Sequence, residues 1–104
     1  MGIDVAWVDE RHEVKQLIGD PHQLVSGLAT RRWLSLSSTV CLRFVVPWGD
    51  AVFNHAQNED LRNELDAQLR ETTDQKVRAH LLKIIELVDL ASHEVHTFIK
   101  FIGD

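Results

Sequence analysis

The segment from Gln75 to Ala91 constrains the fold most, because its apolar residues cover an unusually wide arc of a helix. One stripe recurs at helical spacing and a second lies beside it: Val77, Leu81, Ile84, Val88 and Ala91, with Leu82, Ile85, Leu87 and Leu90. The preceding Thr72-Thr73-Asp74-Gln75 has the pattern of a capping box, which predicts the helix start. An arc this wide must be covered on more than one side, so we expect this helix at the centre of the core.

Shorter elements are predicted on either side of that helix. Alternation and β-branched residues predict strands at Ile3–Asp9, Val40–Val46 and Val95–Ile102, of which the second carries the strongest signal. Two further helices are predicted, one near residues 21–30 and one over residues 58–71. Residues 10–19 stay ambiguous: their apolar positions fit helical spacing, but Gly19-Asp20-Pro21 must end any element there. A turn or loop is expected from Pro47 to about His55.

The starts of these two helices each carry a capping signal. Asp20-Pro21-His22-Gln23 has Asp at the N-cap, Pro at the first helical position and Gln three residues after the Asp. Asn58 is the expected cap of the later helix, whose leucines Leu61, Leu65 and Leu69 recur every four residues among charged side chains.

The predicted order is therefore β, α, β, α, α, β in one domain spanning residues 1–104. This order indicates the α+β class, with a small sheet of about three strands and three or four helices. Pattern alone leaves the sheet antiparallel or mixed.

Composition excludes several functional classes. The chain has 104 residues and one cysteine, Cys41, so no internal disulfide and no cysteine-based zinc cluster can form. Acidic residues interrupt the first twenty positions, and no apolar run is long enough to cross a bilayer, which favours a cytoplasmic protein. The net charge of −5 argues against direct nucleic-acid binding.

All of this net charge lies in the second half of the chain. Residues 1–48 hold five acidic and five basic residues, whereas residues 49–104 hold eleven acidic and six basic residues. The excess is concentrated in residues 58–71, with five acids against two arginines. An acidic helix face without a catalytic motif indicates a basic macromolecular partner, with four candidate contact residues: Glu59, Asp60, Glu64 and Asp66.

A second candidate contact lies in the loop Pro47-Trp48-Gly49-Asp50, which directly follows the second predicted strand. Trp48 has two interpretations, a residue that covers the core or the apolar anchor of an interface beside Asp50.

Histidine is the strongest chemical lead, since the chain has six, and His93 and His96 stand three residues apart. That spacing differs from the His-Glu-x-x-His signature of zinc proteases, and the predicted end of the central helix falls inside the motif. No nucleophile elbow and no phosphate-binding glycine loop occurs, so we expect no catalytic residue and no cofactor.

A family resemblance rests on the layout after residue 38. This part of the chain consists of the predicted strand Val40–Val46, the loop Pro47-Trp48-Gly49-Asp50-Ala51-Val52-Phe53-Asn54, an acidic helix, a core helix and a closing Phe98-Ile99-Lys100-Phe101-Ile102-Gly103-Asp104. The layout resembles that of small bacterial immunity proteins. These are inhibitors made beside a secreted or contact-delivered toxin. The resemblance implies a cytoplasmic protein that binds one cognate toxin, often a basic nuclease, and blocks its active site without catalysis. It carries over no individual residue.

Three hypotheses follow. The leading one is an immunity or antitoxin-like protein that binds a basic toxin through Trp48, Asp50 and the acidic helix. The second is a metal-binding protein or metal-assisted hydrolase that uses His93 and His96. The third is a structural or regulatory homodimer, in which a second copy covers part of the wide apolar arc.

Overall fold

The structure is a computed structural model that describes residues 2–33 and 39–103. Its strands and α-helices are, in chain order, β1 (Asp4–Asp9), β2 (Val14–Ile18), α1 (Leu24–Arg31), β3 (Asp50–Phe53), α2 (Asn58–Glu71), α3 (Gln75–Ala91) and β4 (Thr97–Ile102). The predicted α+β class is confirmed, with four strands rather than about three.

The four strands form one antiparallel sheet in the order β2-β1-β4-β3. β1 and β4 are the central strands, and Val5 lies opposite Phe101 in their register. The ambiguous segment 10–19 contains the additional strand, because residues 10–13 turn the chain so that Val14–Ile18 pairs with β1. Both outer strands of this order are edges of the sheet.

The core lies on one face of this sheet. Side chains from alternate strand positions, such as Val5, Ile99 and Phe101, join buried residues of all three helices in one cluster. The central position of α3 is confirmed, since it contacts α2 on one side and β1, β2 and β4 on the other. The opposite sheet face carries none of the three helices.

The prediction of a strand at Val40–Val46 is wrong. Leu42–Phe44 forms a single turn of 3-10 helix, and the buried side chains of this segment are Cys41, Leu42 and Val45. Strand alternation would have buried every second residue, whereas this spacing belongs to a helical turn. The third sheet strand lies instead at Asp50–Phe53, inside the segment predicted to be a loop.

The predicted capping motifs lie near the observed helix starts, but the residues that form the caps differ from those predicted. The N-cap of α3 is Asp74, whose carboxylate accepts hydrogen bonds from the Lys76 and Val77 N–H groups. The capping box of the α2 region is formed by Asn54 and Gln57 around a short 3-10 turn, so Asn58 is not the cap. Both helices are therefore preceded by a side-chain cap, as predicted, but the capping residue is a different one from that predicted in each case.

Asp20 joins three parts of the fold, although it forms no capping box with Gln23. Its carboxylate accepts hydrogen bonds from Ile3 N at 2.8 Å, Val25 N at 2.8 Å and Ser26 N at 3.0 Å. It thereby ties the chain before β1 to the first turn of α1. Its Oδ1 atom, which accepts from Val25 N, also lies 4.0 Å from Nε2 of the buried His80 of α3.

Stability at mildly acidic pH is expected to depend on His80. Burial lowers the pKa of His80 below its ordinary 6.5; Asp20 opposes this shift and Lys83 adds to it. Below pH 6.5 the unfolded chain binds more protons at this residue, so its contribution to stability is full above that pH and is lost as the pH falls through the folded-state pKa.

The measurement is the free energy of unfolding in urea between about pH 7.5 and pH 5.5, the range in which histidines titrate. We expect this free energy to fall less in His80→Gln than in the unsubstituted protein. His93→Gln, which changes an exposed histidine, serves as the control and should leave the slope unchanged. Equal slopes in all three proteins would contradict the assignment.

Candidate partner-binding site

The predicted contact residues fall into two groups in the structure. Trp48 and Asp50 lie where the chain enters β3, whereas Glu59, Asp60, Glu64 and Asp66 lie on α2. α2 follows the opposite end of β3, so the strand separates Trp48 from Glu59 and Asp60, which occupy the first turn of that helix. The six residues therefore do not form one continuous cluster.

The Glu64 carboxylate is occupied by hydrogen bonds within the fold. Its carboxylate accepts hydrogen bonds from Val40 N at 2.8 Å, Cys41 N at 3.2 Å and Leu42 N at 2.9 Å. These N–H groups open the 3-10 turn, whose N-cap residue Cys41 makes no side-chain cap bond, although Thr39 Oγ1 accepts from Arg43 N at 3.2 Å. A carboxylate that accepts three backbone hydrogen bonds fixes this segment against α2.

Beside Glu64, α2 forms one wall of a groove of about 320 Å³. We call it the α2 groove; its polar lining includes Asp60, Glu64, Gln68 and Glu71. Asp60 is exposed and its side chain has no hydrogen bond or ion pair to the described residues. Glu71 pairs with Arg32 at 3.2 Å, and both side chains remain largely exposed.

Gln68 gives the α2 groove its most unusual feature. The residue is 4% exposed, and its Oε1 atom has no hydrogen-bond partner among the described residues. An unpaired buried amide oxygen costs about 1–3 kcal/mol relative to one that is hydrogen-bonded. A donor from a bound molecule would recover this cost.

Two of the other three predicted acids are partly neutralised within the chain. Asp66 pairs with Arg70 one helical turn later, and Asp50 lies 3.6 Å from Lys100 on the neighbouring strand. Glu59 is exposed, without an ion pair to the described residues. Among the acids of the α2 groove, Asp60 is therefore the carboxylate most available to a partner.

Exposed apolar residues lie in the segment that Glu64 anchors. Val40 and Phe44 are exposed, while Cys41 and Leu42 between them are buried. The Arg43 guanidinium lies 4.8 Å from the centre of the Phe44 ring, a cation–π contact. Trp48 is 66% exposed, so it does not cover the core, and it remains a candidate contact residue.

A second exposed apolar surface lies on the helix-free face of the sheet. Cross-strand pairing places Leu17 and Val52 on this face, and the register shift between Trp7 and Val8 brings Val14 to the same face; all three are exposed. Ala6 and Val8 lie on the same face but are covered by their neighbours. The apolar arc of α3 is less open, with Leu82 and Leu90 as its exposed leucines.

The predicted metal ligands lie in the turn between α3 and β4. His93 and His96 are both exposed there, and His96 has a left-handed backbone with φ of 64°. Within residues 2–33 and 39–103, no group of three or more His, Cys, Asp or Glu side chains is placed to hold a metal ion. In the same ranges, no helix is long and apolar enough to span a membrane.

Cys41 is not activated as a nucleophile. Burial, with smaller contributions from Glu64 and Asp60, raises the pKa of its thiol to about 12. The thiol therefore stays protonated at neutral pH, which agrees with a packing role.

Sequence reasoning treated Asn58 only as a helix cap and missed Gln68, although a signal was present for both. Asn58 precedes Leu61 by three residues and Gln68 follows Leu65 by three, so both occupy the apolar stripe of α2. Both are buried. Polar residues on a core-facing stripe mark either an internal hydrogen bond or a binding site, and their spacing alone identifies them.

Two acids of α2 are expected to differ sharply in their effect on stability. Glu64→Ala leaves three backbone N–H groups without their acceptor, and should lower the free energy of unfolding by about 3 kcal/mol. Asp66→Ala removes a surface ion pair within the helix and should cost about 0.5 kcal/mol or less. Urea unfolding of both variants checks this difference, and similar costs for the two would contradict the role assigned to Glu64.

In comparisons with known proteins, no family model, curated protein or solved structure matches the chain. Contacts, burial and charge are therefore the basis for the functional proposal.

Proposed function

We propose that this chain is a non-catalytic binding protein of the immunity type, which acts in the cytoplasm and blocks a basic protein partner such as a nuclease toxin. The α2 groove and the apolar residues Val40 and Phe44 form its contact surface. The observation that carries this proposal is the buried, unpartnered Oε1 of Gln68 within a groove lined by carboxylates.

The groove chemistry favours an arginine side chain of the partner. A guanidinium offers five N–H donors in a plane and no acceptor, and it forms two parallel hydrogen bonds with a carboxylate. Asp60 and Glu71 supply carboxylates, and Gln68 supplies a further acceptor. Gln68 and Glu71 are three residues apart, so one guanidinium can contact both, whereas Asp60 lies about two helical turns away and would pair with a second basic group of the partner.

Val40 and Phe44 supply the apolar part of the surface. Because the Glu64 carboxylate holds this turn, the two side chains are presented without a large cost of ordering the loop. Apolar anchors next to charged groups are typical of interface hot spots.

The net charge adds long-range attraction. A chain of net charge −5 accelerates encounter with a basic partner, and salt screens this effect over about 10 Å at 0.1 M ionic strength. Association should therefore slow as ionic strength rises, with less effect on dissociation.

The first experiment uses acetylated tetra-arginine amide as a probe of the α2 groove. In an NMR titration of the labelled chain, the peptide should shift the side-chain amide signals of Gln68 and the backbone signal of Asp60. A matched peptide of citrulline, which has similar shape without charge, should leave them unchanged. Shifts spread evenly over all exposed acids would contradict a specific groove.

Paired variants extend the test to a protein partner captured from the source cells. Asp60→Asn with Glu71→Gln changes the groove, while Glu10→Gln with Glu86→Gln makes the same change in net charge at exposed positions elsewhere. The groove pair should weaken binding at least about tenfold, as expected for lost charged hydrogen bonds, and the control pair should change it little. Equal losses for both pairs would mean that net charge alone, and not this groove, determines binding.

A further inference from the structure

A second cleft lies where the start of α2 meets the end of α3. Its volume is about 420 Å³, which is within the range of small-molecule sites. His55, Asn58 and Arg62 line it from the α2 side, and Asp89 and Ser92 from the α3 side. The buried Val88 contributes apolar surface.

Two contacts hold the walls of this cleft together. His55 Nε2 donates a hydrogen bond to the Ser92 carbonyl oxygen at 2.9 Å. Arg62 Nε donates to Asp89 Oδ1 at 3.1 Å. Because both contacts join the start of α2 to the end of α3, the cleft has a defined shape without a ligand.

Asn58 is the lining residue of this cleft whose buried side-chain amide is unpaired. It is 3% exposed, and neither its Oδ1 nor its Nδ2 atom has a hydrogen-bond partner among the described residues. Both halves of one amide are therefore buried and unpaired, which a fold retains at a cost unless a ligand or water satisfies them.

We propose that this cleft binds a small neutral ligand through a planar edge on which an N–H donor stands beside a hydrogen-bond acceptor. An asparagine amide pairs with such an edge through two hydrogen bonds, one in each direction. Lactams, primary carboxamides and the amidine edge of adenine all present this pattern.

The charges around the cleft favour a neutral ligand over a phosphate or carboxylate. Glu59 and Asp89 contribute two negative charges, against one positive charge from Arg62. The Nε2 atom of His55 is already used as a donor to Ser92, so the histidine offers Nδ1 as an acceptor in its neutral form. An anion would therefore meet net negative charge.

The test titrates the full labelled chain with uracil, benzamide and adenine, and follows the Asn58 side-chain amide signals by NMR. At least one of the three should shift these signals saturably, and comparison of the three shows whether a lactam, a carboxamide or adenine supplies the hydrogen-bonding edge. 1,3-Dimethyluracil and N,N-dimethylbenzamide lack the N–H donor and should produce no saturable shift. If none of the three ligands binds, the cleft holds water only and the proposal is wrong.

Variants then locate the contact. Asn58→Leu should weaken binding at least about tenfold, since it removes both hydrogen bonds. Asn58→Asp keeps the size and replaces the donor by an acceptor, so it should also weaken binding and covers the case in which the leucine variant fails to fold. Asn63→Leu on the exposed side of the same helix should bind normally. Equal weakening by Asn63→Leu would overturn the assignment.

Discussion

The third helix must be covered on two sides at once, and the positions of the other elements follow from that requirement. Its buried residues include His80, Leu81, Ile84, Leu87 and Val88, too many for one neighbouring layer to cover. The sheet covers one side and α2 covers another, so α2 has to bury its leucine stripe against α3. As a result, the charged side of α2 and one face of the sheet are left to solvent. Both candidate ligand sites border α2 because that helix forms the outer layer.

The long helices were predictable because their apolar periods extend over several turns and each has capping residues near its start. The conformation of Val40–Val46 was not predictable, because its residue types favour a strand. In the structure, Leu42 N donates a hydrogen bond to the carboxylate of Glu64, 22 residues later in the chain, and this contact holds the backbone in a turn. Local propensity carries no information about such a contact. Similarly, β3 has only four residues, which is too few for alternation to be distinguished from a loop that contains three apolar residues.

The candidate site was predictable in its location but not in its chemistry. Charge counting placed an acidic face on residues 58–71, and one helix spans these residues. Charge counting could not distinguish Glu64, whose carboxylate accepts backbone hydrogen bonds, from Asp60, which has no ion pair to the described residues. That separation depends on where a distant segment packs. The two buried amides, Asn58 and Gln68, were visible in principle as polar residues on an apolar stripe.

The central claim is that a partner binds the α2 groove and its neighbouring turn rather than the helix-free face of the sheet. Hydroxyl-radical footprinting of the chain alone and bound to its captured partner measures this directly, because apolar side chains on both surfaces are exposed. Binding at the α2 groove should protect Val40 and Phe44 from oxidation and leave Val14 and Leu17 as reactive as in the free chain. Protection confined to Val14 and Leu17 would contradict it and would place the interface on the sheet.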